Sequence, residues 1–82
     1  MTPAKQIPLA ELSVNEHGTI LAFEDSQAVA ARLASLGVTP GAGVDVTHNY
    51  GHGPLIVMVR GTRVALGRSE AAHIFVTRGA GD

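Results

Sequence analysis

The sequence predicts a mainly β fold, a small and strongly bent β-barrel of about five strands with one main α-helix over 27–36. Short apolar segments, separated by Gly and Pro breaks, are typical of short strands, and one Ala-rich segment has helical spacing instead. A chain of 82 residues builds only one small core. The sheet therefore has to curl on itself to bury its apolar face. We expect a single domain over 1–82, with its core over about 9–77 and a flexible tail over 78–82.

The first elements are a helical turn and a strand. Residues 8–12 predict one turn of helix, with Leu9 and Leu12 three positions apart on one face, where they form a lid over the core. Residues 17–23 predict a strand.

The main helix is the best-marked element. Asp25 or Ser26 suits its N-cap, because either side chain accepts a hydrogen bond from a free backbone N–H group. Gly37 suits a left-handed C-terminal position, and Pro40-Gly41 suits a type II turn. The residues that we expect to define the helix face, its end and the later hairpin are Leu33, Leu36, Gly37, Pro40, Gly41 and Gly61.

The second half predicts strands and one short helix. Residues 44–50 alternate apolar and polar side chains, and 55–59 are continuously apolar, as expected for a strand covered on both sides. Gly61-Thr62 fits a two-residue type II′ hairpin into a strand over 63–66. Ser69 suits the cap of a one-turn helix that ends at His73, before a last strand over 74–77.

Composition narrows the function classes. The formal net charge of −1 gives no electrostatic footprint for nucleic acid. No apolar run approaches the roughly 18 residues of a membrane span, so we expect no direct membrane insertion. The absence of cysteine makes the cytoplasm the default location. We expect no cofactor.

An ordered set of motifs resembles the FeoA family, the small ferrous iron transport protein A of bacteria. The run from Ala31 to Gly41 resembles the family's arginine-leucine-x-x-leucine-glycine-hydrophobic-x-proline-glycine signature, and further family features follow in order. They are the strand Val44-Asp45-Val46, the loop Gly51-His52-Gly53-Pro54-Leu55, and Val64-Ala65-Leu66 leading to Glu70-Ala71-Ala72-His73-Ile74. The resemblance implies an SH3-like barrel and a cytoplasmic accessory role beside FeoB, the membrane ferrous iron transporter.

Three positions depart from the family pattern. Gly67 stands where an arginine is common, with Arg68 one place later, while Tyr50 and His52 replace a proline and a small residue.

Metal, nucleotide and catalytic sites are weakly supported. His48 and His52 are four apart, which aligns two ligands on a helix but not on a strand that enters a turn. The glycines over 37–43 follow a helix, the reverse of the order that aims backbone N–H groups at phosphate. No serine lies in a Gly-x-Ser-x-Gly elbow, so we expect no enzyme.

Partner binding is the favoured activity. Tyrosine and arginine anchor interfaces, because they combine a large contact area with hydrogen bonding. The residues that we expect at the contact are Arg32, Tyr50, Arg60, Arg63, Arg68, Leu9 and Leu12. The alternative for Arg32 is pairing on the helix surface, and the alternative for Tyr50 is covering one end of the barrel.

The FeoA resemblance thus implies a non-catalytic accessory that docks on the cytoplasmic side of a FeoB-type transporter and modulates it. Such a protein would lie peripheral to the membrane through that partner, with weak self-association as an option. One alternative is the docking barrel of a metal-dependent transcription repressor, which the start at Met1 with no helix-turn-helix ahead of it disfavours. The other alternative is a small divalent-metal-binding protein that uses His48 and His52.

Overall fold

The computed structural model describes residues 6–24 and 27–78, which form one antiparallel sheet with two helices and a 3-10 turn. In chain order the elements are β1 (Gln6–Pro8), the 3-10 turn (Leu9–Glu11), β2 (His17–Phe23), α1 (Gln27–Ser35), β3 (Gly43–His48), β4 (Leu55–Val59), β5 (Thr62–Leu66), α2 (Arg68–Ala72) and β6 (Ile74–Arg78). None of these helices is long and apolar enough to cross a membrane.

The sheet has six strands in the order β1-β6-β2-β3-β4-β5, so the prediction of about five strands misses one. The missed strand is β1, where Ile7 pairs with Val76. Three residues that end in a proline are too few to show an alternating pattern. β1 and β5 lie at the two edges and do not pair with each other, so the sheet curls without closing into a complete barrel.

One apolar core fills the concave side of the sheet. β3 and β4 bury alternate residues, as the period of two requires. The buried apolar residues are Ile7, Leu9, Leu12, Ile20, Leu33, Val38, Ala42, Val44, Val46, Leu55, Val57, Val59, Val64, Leu66, Ala71, Ile74 and Val76.

α1 ends in the glycine motif that its sequence predicts, one residue earlier than expected. The N–H of Val38 donates to the carbonyl of Leu33 across 2.9 Å, the N–H of Gly37 donates to the carbonyl of Ala34 across 3.0 Å, and Gly37 has φ +88°. This is the Schellman arrangement, so the prediction for Gly37 is confirmed. Leu36 lies beyond the helix and is 37% exposed, so the prediction that it shares one helix face with Leu33 is wrong. The predicted caps Asp25 and Ser26 lie outside the described residues.

The two predicted turns have different outcomes. Gly41 has φ +91°, and the N–H of Ala42 donates to the carbonyl of Thr39 across 3.0 Å, which confirms the type II turn at Pro40-Gly41. The hairpin prediction is wrong. Val59 pairs with Thr62, so the loop is Arg60-Gly61, and positive φ at both residues (51° and 78°) makes it type I′.

Several smaller boundaries also differ, among them the end of α2 at Ala72, one residue before the predicted His73. The turn predicted over 8–12 is a 3-10 turn over Leu9–Glu11, and β3 stops at His48 before Tyr50. α2 begins at Arg68 after Gly67, so the cap at Ser69 is wrong; the Glu70 carboxylate accepts the Gly67 N–H across 3.0 Å instead. Arg78, which the sequence predicts in the tail, instead ends β6, and its Nε lies 3.0 Å from Glu16 Oε2. Residues 79–82 lie outside the described ranges.

Candidate docking surface

The convex side of β3, β4 and β5 carries a partly open apolar surface. Leu55, Val57 and Val59 of β4 are buried, while Ile56 and Met58 between them are only half-buried. Because successive strand residues point to opposite faces, Ile56 and Met58 lie on the convex side. The expectation that this strand is covered on both sides is therefore wrong.

Strand register supplies the neighbours of these two residues. Residues directly paired across an antiparallel sheet share a face. Met58 pairs with Asp45 on one side and Arg63 on the other, and Ile56 pairs with His48 and Ala65. We call this surface the outer-face patch: Asp45, His48, Ile56, Met58, Arg63 and Ala65, together with Tyr50, which contacts His48.

A β-bulge places His48 on this face. The register between β3 and β4 shifts between Val46 and His48, so Thr47 is the extra residue, and its Oγ1 donates to the carbonyl of Ile56 across 3.1 Å. Without the bulge, His48 would follow Val44 and Val46 toward the core. The extra residue turns the imidazole to the convex side.

Tyr50 is the most exposed large apolar side chain among the described residues, at 71%. Its ring meets that of His48 edge to face, with centroids 4.2 Å apart and an interplanar angle of 61°. The contact holds an exposed aromatic ring beside the apolar centre of the patch. Tyr50 thus stands at the rim of the outer-face patch, where an interface anchor is useful.

Asn49 fixes the loop that carries Tyr50. Its Nδ2 donates to the carbonyls of Ala10 (3.1 Å) and Leu12 (2.7 Å), and its Oδ1 accepts the Gly51 N–H (3.0 Å) and Arg68 Nη2 (2.6 Å). One carboxamide therefore links the lid, the loop and α2 through both its donors and its acceptor. Sequence reasoning did not find Asn49, because its partners in the lid and in α2 are remote in the chain.

Three of the four predicted contact arginines are engaged within the fold. Arg32 of α1 pairs with Glu70 of α2, which is the surface-pairing alternative considered for it. Arg60 donates to the Gly37 carbonyl and to Thr39 Oγ1, each across 3.3 Å.

Arg68 donates from Nε to the Gly53 carbonyl across 3.2 Å, in addition to its bond with Asn49. Arg63 differs from the other three. No described residue pairs with or accepts a hydrogen bond from its exposed guanidinium. Its charge is therefore available to a partner.

Leu9 and Leu12 are fully buried, each 0% exposed, and belong to the core. In this conformation neither side chain touches solvent. A partner contact through either leucine requires the 3-10 turn to move, and Asn49 holds that segment by two hydrogen bonds.

The predicted histidines do not gather further ligands. No group of three or more His, Asp or Glu side chains suited to a metal ion occurs over 6–24 and 27–78. His48 contacts Tyr50, and His52 lies in the exposed loop. Elsewhere on the convex side, His17 Nδ1 lies 2.8 Å from Asp45 Oδ1, a histidine–carboxylate pair at the border of the outer-face patch.

Solved structures share this fold along nearly the whole chain. An iron uptake regulatory protein (FeoA) has a TM-score of 0.86 and 29% identity, with 92% of this chain and 100% of that chain covered. FeoA from Chlorobium tepidum has a TM-score of 0.84 and 30% identity over 93% of this chain and 73% of that one. Zinc-complexed FeoA from Stenotrophomonas maltophilia, an SH3 domain protein proposed as a ferrous iron transport activating factor, has a TM-score of 0.73 and 34% identity over 83% and 86%.

A manganese-dependent transcriptional repressor in complex with manganese has the same fold in part of its chain. Its TM-score is 0.85 at 23% identity, with 96% of this chain but only 39% of the repressor covered. At that identity the likeness is one of fold. Among curated proteins none matches this sequence.

The family itself follows from the sequence match. The sequence model of the FeoA domain matches residues 7–78, which takes in every strand and both helices described above except Gln6 at the start of β1. The curled sheet, α1 with its Schellman end and the type II turn at Pro40-Gly41 all lie within that match. This chain belongs to the FeoA family, a family of small accessory domains with an SH3-like fold.

Proposed function

We propose that this chain is a non-catalytic accessory of bacterial ferrous iron uptake, which docks on the cytoplasmic side of a FeoB-type transporter and modulates it. The observation that carries the proposal is the outer-face patch. Its centre is apolar, at Ile56 and Met58, and its rim holds an exposed tyrosine and an arginine with no described partner.

This arrangement matches the anatomy of protein interfaces. An apolar centre loses water on contact, and a polar rim with tyrosine and arginine supplies anchors and orientation. The sheet under the patch is continuous through β3, β4 and β5, so the side chains stand on a rigid support. A rigid surface loses little conformational entropy when a partner binds.

The family supplies the partner class. Related structures are described as an iron uptake regulatory protein and as a proposed ferrous iron transport activating factor. Both descriptions favour a protein that acts on a transporter. The described part of the chain shows no cavity that encloses a substrate, which favours contact through an open surface.

The test is association with a detergent-solubilised FeoB-type transporter, measured by pull-down and by biolayer interferometry. We expect Tyr50→Ala to weaken binding by about tenfold or more, as removal of an interface anchor does. Leu21→Ala is the matched control, because Leu21 is an apolar residue 40% exposed in β2, outside the outer-face patch. Binding unchanged in Tyr50→Ala and in Met58→Glu would exclude this surface.

Modulation needs a separate measurement. GTP hydrolysis by the transporter is followed with the wild-type chain, with Tyr50→Ala and with no added chain, in iron-poor and iron-replete buffer. We expect the wild-type chain to change the rate and Tyr50→Ala to change it less. No association of the wild-type chain, together with an unchanged rate, would refute the proposed function.

A further inference from the structure

The two edges of the sheet are unequal. β1 has three residues and ends in Pro8, which has no N–H to donate, so this edge is poorly suited to pair with a further strand. β5 has five residues, contains no proline and shows no register shift against β4. No described residue pairs with its outer edge.

The hydrogen-bond pattern shows which β5 groups point outward. Val46 exchanges hydrogen bonds with the β2 side of the sheet, since its N–H donates to the Glu16 carbonyl and its carbonyl accepts the Asn15 N–H. Along a strand, successive residues direct their backbone groups to opposite neighbours. The backbone N–H and C=O groups of Asp45 therefore point toward β4, where Asp45 pairs with Met58.

The same alternation continues to the edge. The backbone groups of Met58 point toward β3, so those of its neighbours Val57 and Val59 point toward β5. There Val57 pairs with Val64, and Val59 pairs with Thr62. Arg63 and Ala65 then direct their N–H and C=O groups away from β4. These two residues present two donors and two acceptors in register for a further antiparallel or parallel strand.

The charged side chains in the segment that contains β4 and β5 are all positive. The segment 55–69 contains Arg60, Arg63 and Arg68 and no Asp or Glu. Arg60 and Arg68 are held by carbonyls within the fold, whereas the exposed Arg63 side chain has no partner in the described ranges. An acidic side chain on an added strand would meet Arg63 on the convex side.

We propose that the β5 edge binds an extended, acidic segment of a partner protein as a seventh strand, held by the backbone groups of Arg63 and Ala65 and by the Arg63 side chain. This inference rests on the proposed function in one respect, that the occupant belongs to a partner. A second copy of the chain would fit this edge less well. If β5 paired with β5 of another copy, two segments that contain arginines and no Asp or Glu would lie side by side and repel each other.

The decisive variant is Ala65→Pro. It removes an outward N–H without removing a bond to β4, and proline is tolerated on an edge strand in that orientation. Ala65→Thr is the matched control, since it keeps the N–H and has high β propensity. Arg63→Glu reverses the charge and Arg63→Lys retains it. Circular dichroism and urea unfolding establish that each variant is folded.

The probe is a phage-displayed library of random dodecapeptides selected on the immobilised wild-type chain. We expect enrichment of Asp- and Glu-containing peptides with alternating β-branched residues. Binding of the synthesised peptides should weaken about tenfold in Ala65→Pro and Arg63→Glu, remain in Ala65→Thr and Arg63→Lys, and fall with added salt. In NMR hydrogen exchange, the amides of Arg63 and Ala65 should become protected on binding.

The contrary outcomes are distinct. No enrichment, or peptides that bind Ala65→Pro as tightly as wild type, would refute the edge site. Concentration-dependent dimers in sedimentation that disappear in Ala65→Pro would assign the edge to a second copy and overturn the acidic partner segment. Transporter association that survives Ala65→Pro but is lost in Tyr50→Ala would refute the edge site and leave the proposed function standing.

Discussion

Arg68 donates from Nη2 to Oδ1 of Asn49 across 2.6 Å, which ties the loop before β4 to the start of α2. The same carboxamide donates to the carbonyl of Leu12 across 2.7 Å, so the lid depends on it as well. Removing a side chain that hydrogen-bonds several backbone groups lowers the free energy of unfolding, because each of those polar groups is left without a hydrogen-bond partner.

The first prediction concerns this carboxamide. Asn49→Asp keeps the acceptor for Arg68 but loses both donors, so a carboxylate oxygen faces the carbonyls of Ala10 and Leu12. We expect Asn49→Asp to lower the free energy of unfolding by about 2 kcal/mol, measured by urea denaturation. A variant as stable as wild type would show that the lid is held by its leucines alone. The control is Gln27→Glu, an exposed substitution in the first turn of α1.

The second prediction compares two glycines with the same backbone requirement. Gly37 and Gly41 have φ of +88° and +91°, but a Cβ at Gly37 would lie 3.3 Å from Arg60 Cδ, while one at Gly41 meets nothing within 4 Å. We expect Gly41→Ala to cost about 1 kcal/mol of stability and Gly37→Ala more. In an Arg60→Ala background the difference should shrink, which a double-mutant cycle measures. Equal costs in the wild-type background would contradict the contact.

The third prediction separates the two roles of Glu70. Its carboxylate pairs with Arg32 and also accepts the Gly67 N–H at the start of α2. Because the Arg32 side chain is 49% exposed, we expect Arg32→Ala to cost no more than about 1 kcal/mol. Glu70→Ala should cost more, since it also removes the hydrogen bond at the helix start. Added salt should weaken the contribution of Arg32 and leave that of the Gly67 hydrogen bond nearly unchanged.

The fourth prediction tests the revised end of α1. Leu33 is 1% exposed and Leu36 is 37% exposed, although the sequence pattern predicts that both lie on one helix face. We expect Leu33→Ala to destabilise the protein by about 3 kcal/mol and Leu36→Ala by less than about 1 kcal/mol. Thermal unfolding of the two variants checks this order. If Leu36→Ala destabilised the protein as much as Leu33→Ala, Leu36 would have to be buried in the core, contrary to this structure.

The elements that sequence reasoning located best are those with strong local signals. The strands over His17–Phe23 and Leu55–Val59 have the predicted bounds, because an apolar pattern is closed at each end by polar or turn residues. The type I′ hairpin was missed because Arg60 at positive φ is disfavoured locally. Its side chain reaches the Gly37 carbonyl, a tertiary contact that no local rule contains.

The candidate site likewise contains residues that the sequence predicts and residues that it does not. Tyr50 and Arg63 were singled out by residue type, and the structure places both on the outer-face patch. Ile56 and Met58 were missed, since an apolar run does not reveal which of its faces is left uncovered. That depends on strand register and on where α1 lies, and both are set by contacts between distant residues.

The position of β6 has a consequence for synthesis of the protein. Among the described strands β6 is synthesised after the other five, yet it lies in the sheet between β1 and β2, the two that are synthesised earliest. Until Ile74–Arg78 is made, β1 has no neighbour in the sheet and one edge of β2 remains unpaired. At about 5–20 residues per second, a nascent chain spends seconds in this incomplete state. Cooperative folding of this sheet therefore requires β6 to be synthesised, and a transcript truncated before β6 would yield a chain with exposed strand edges prone to aggregation.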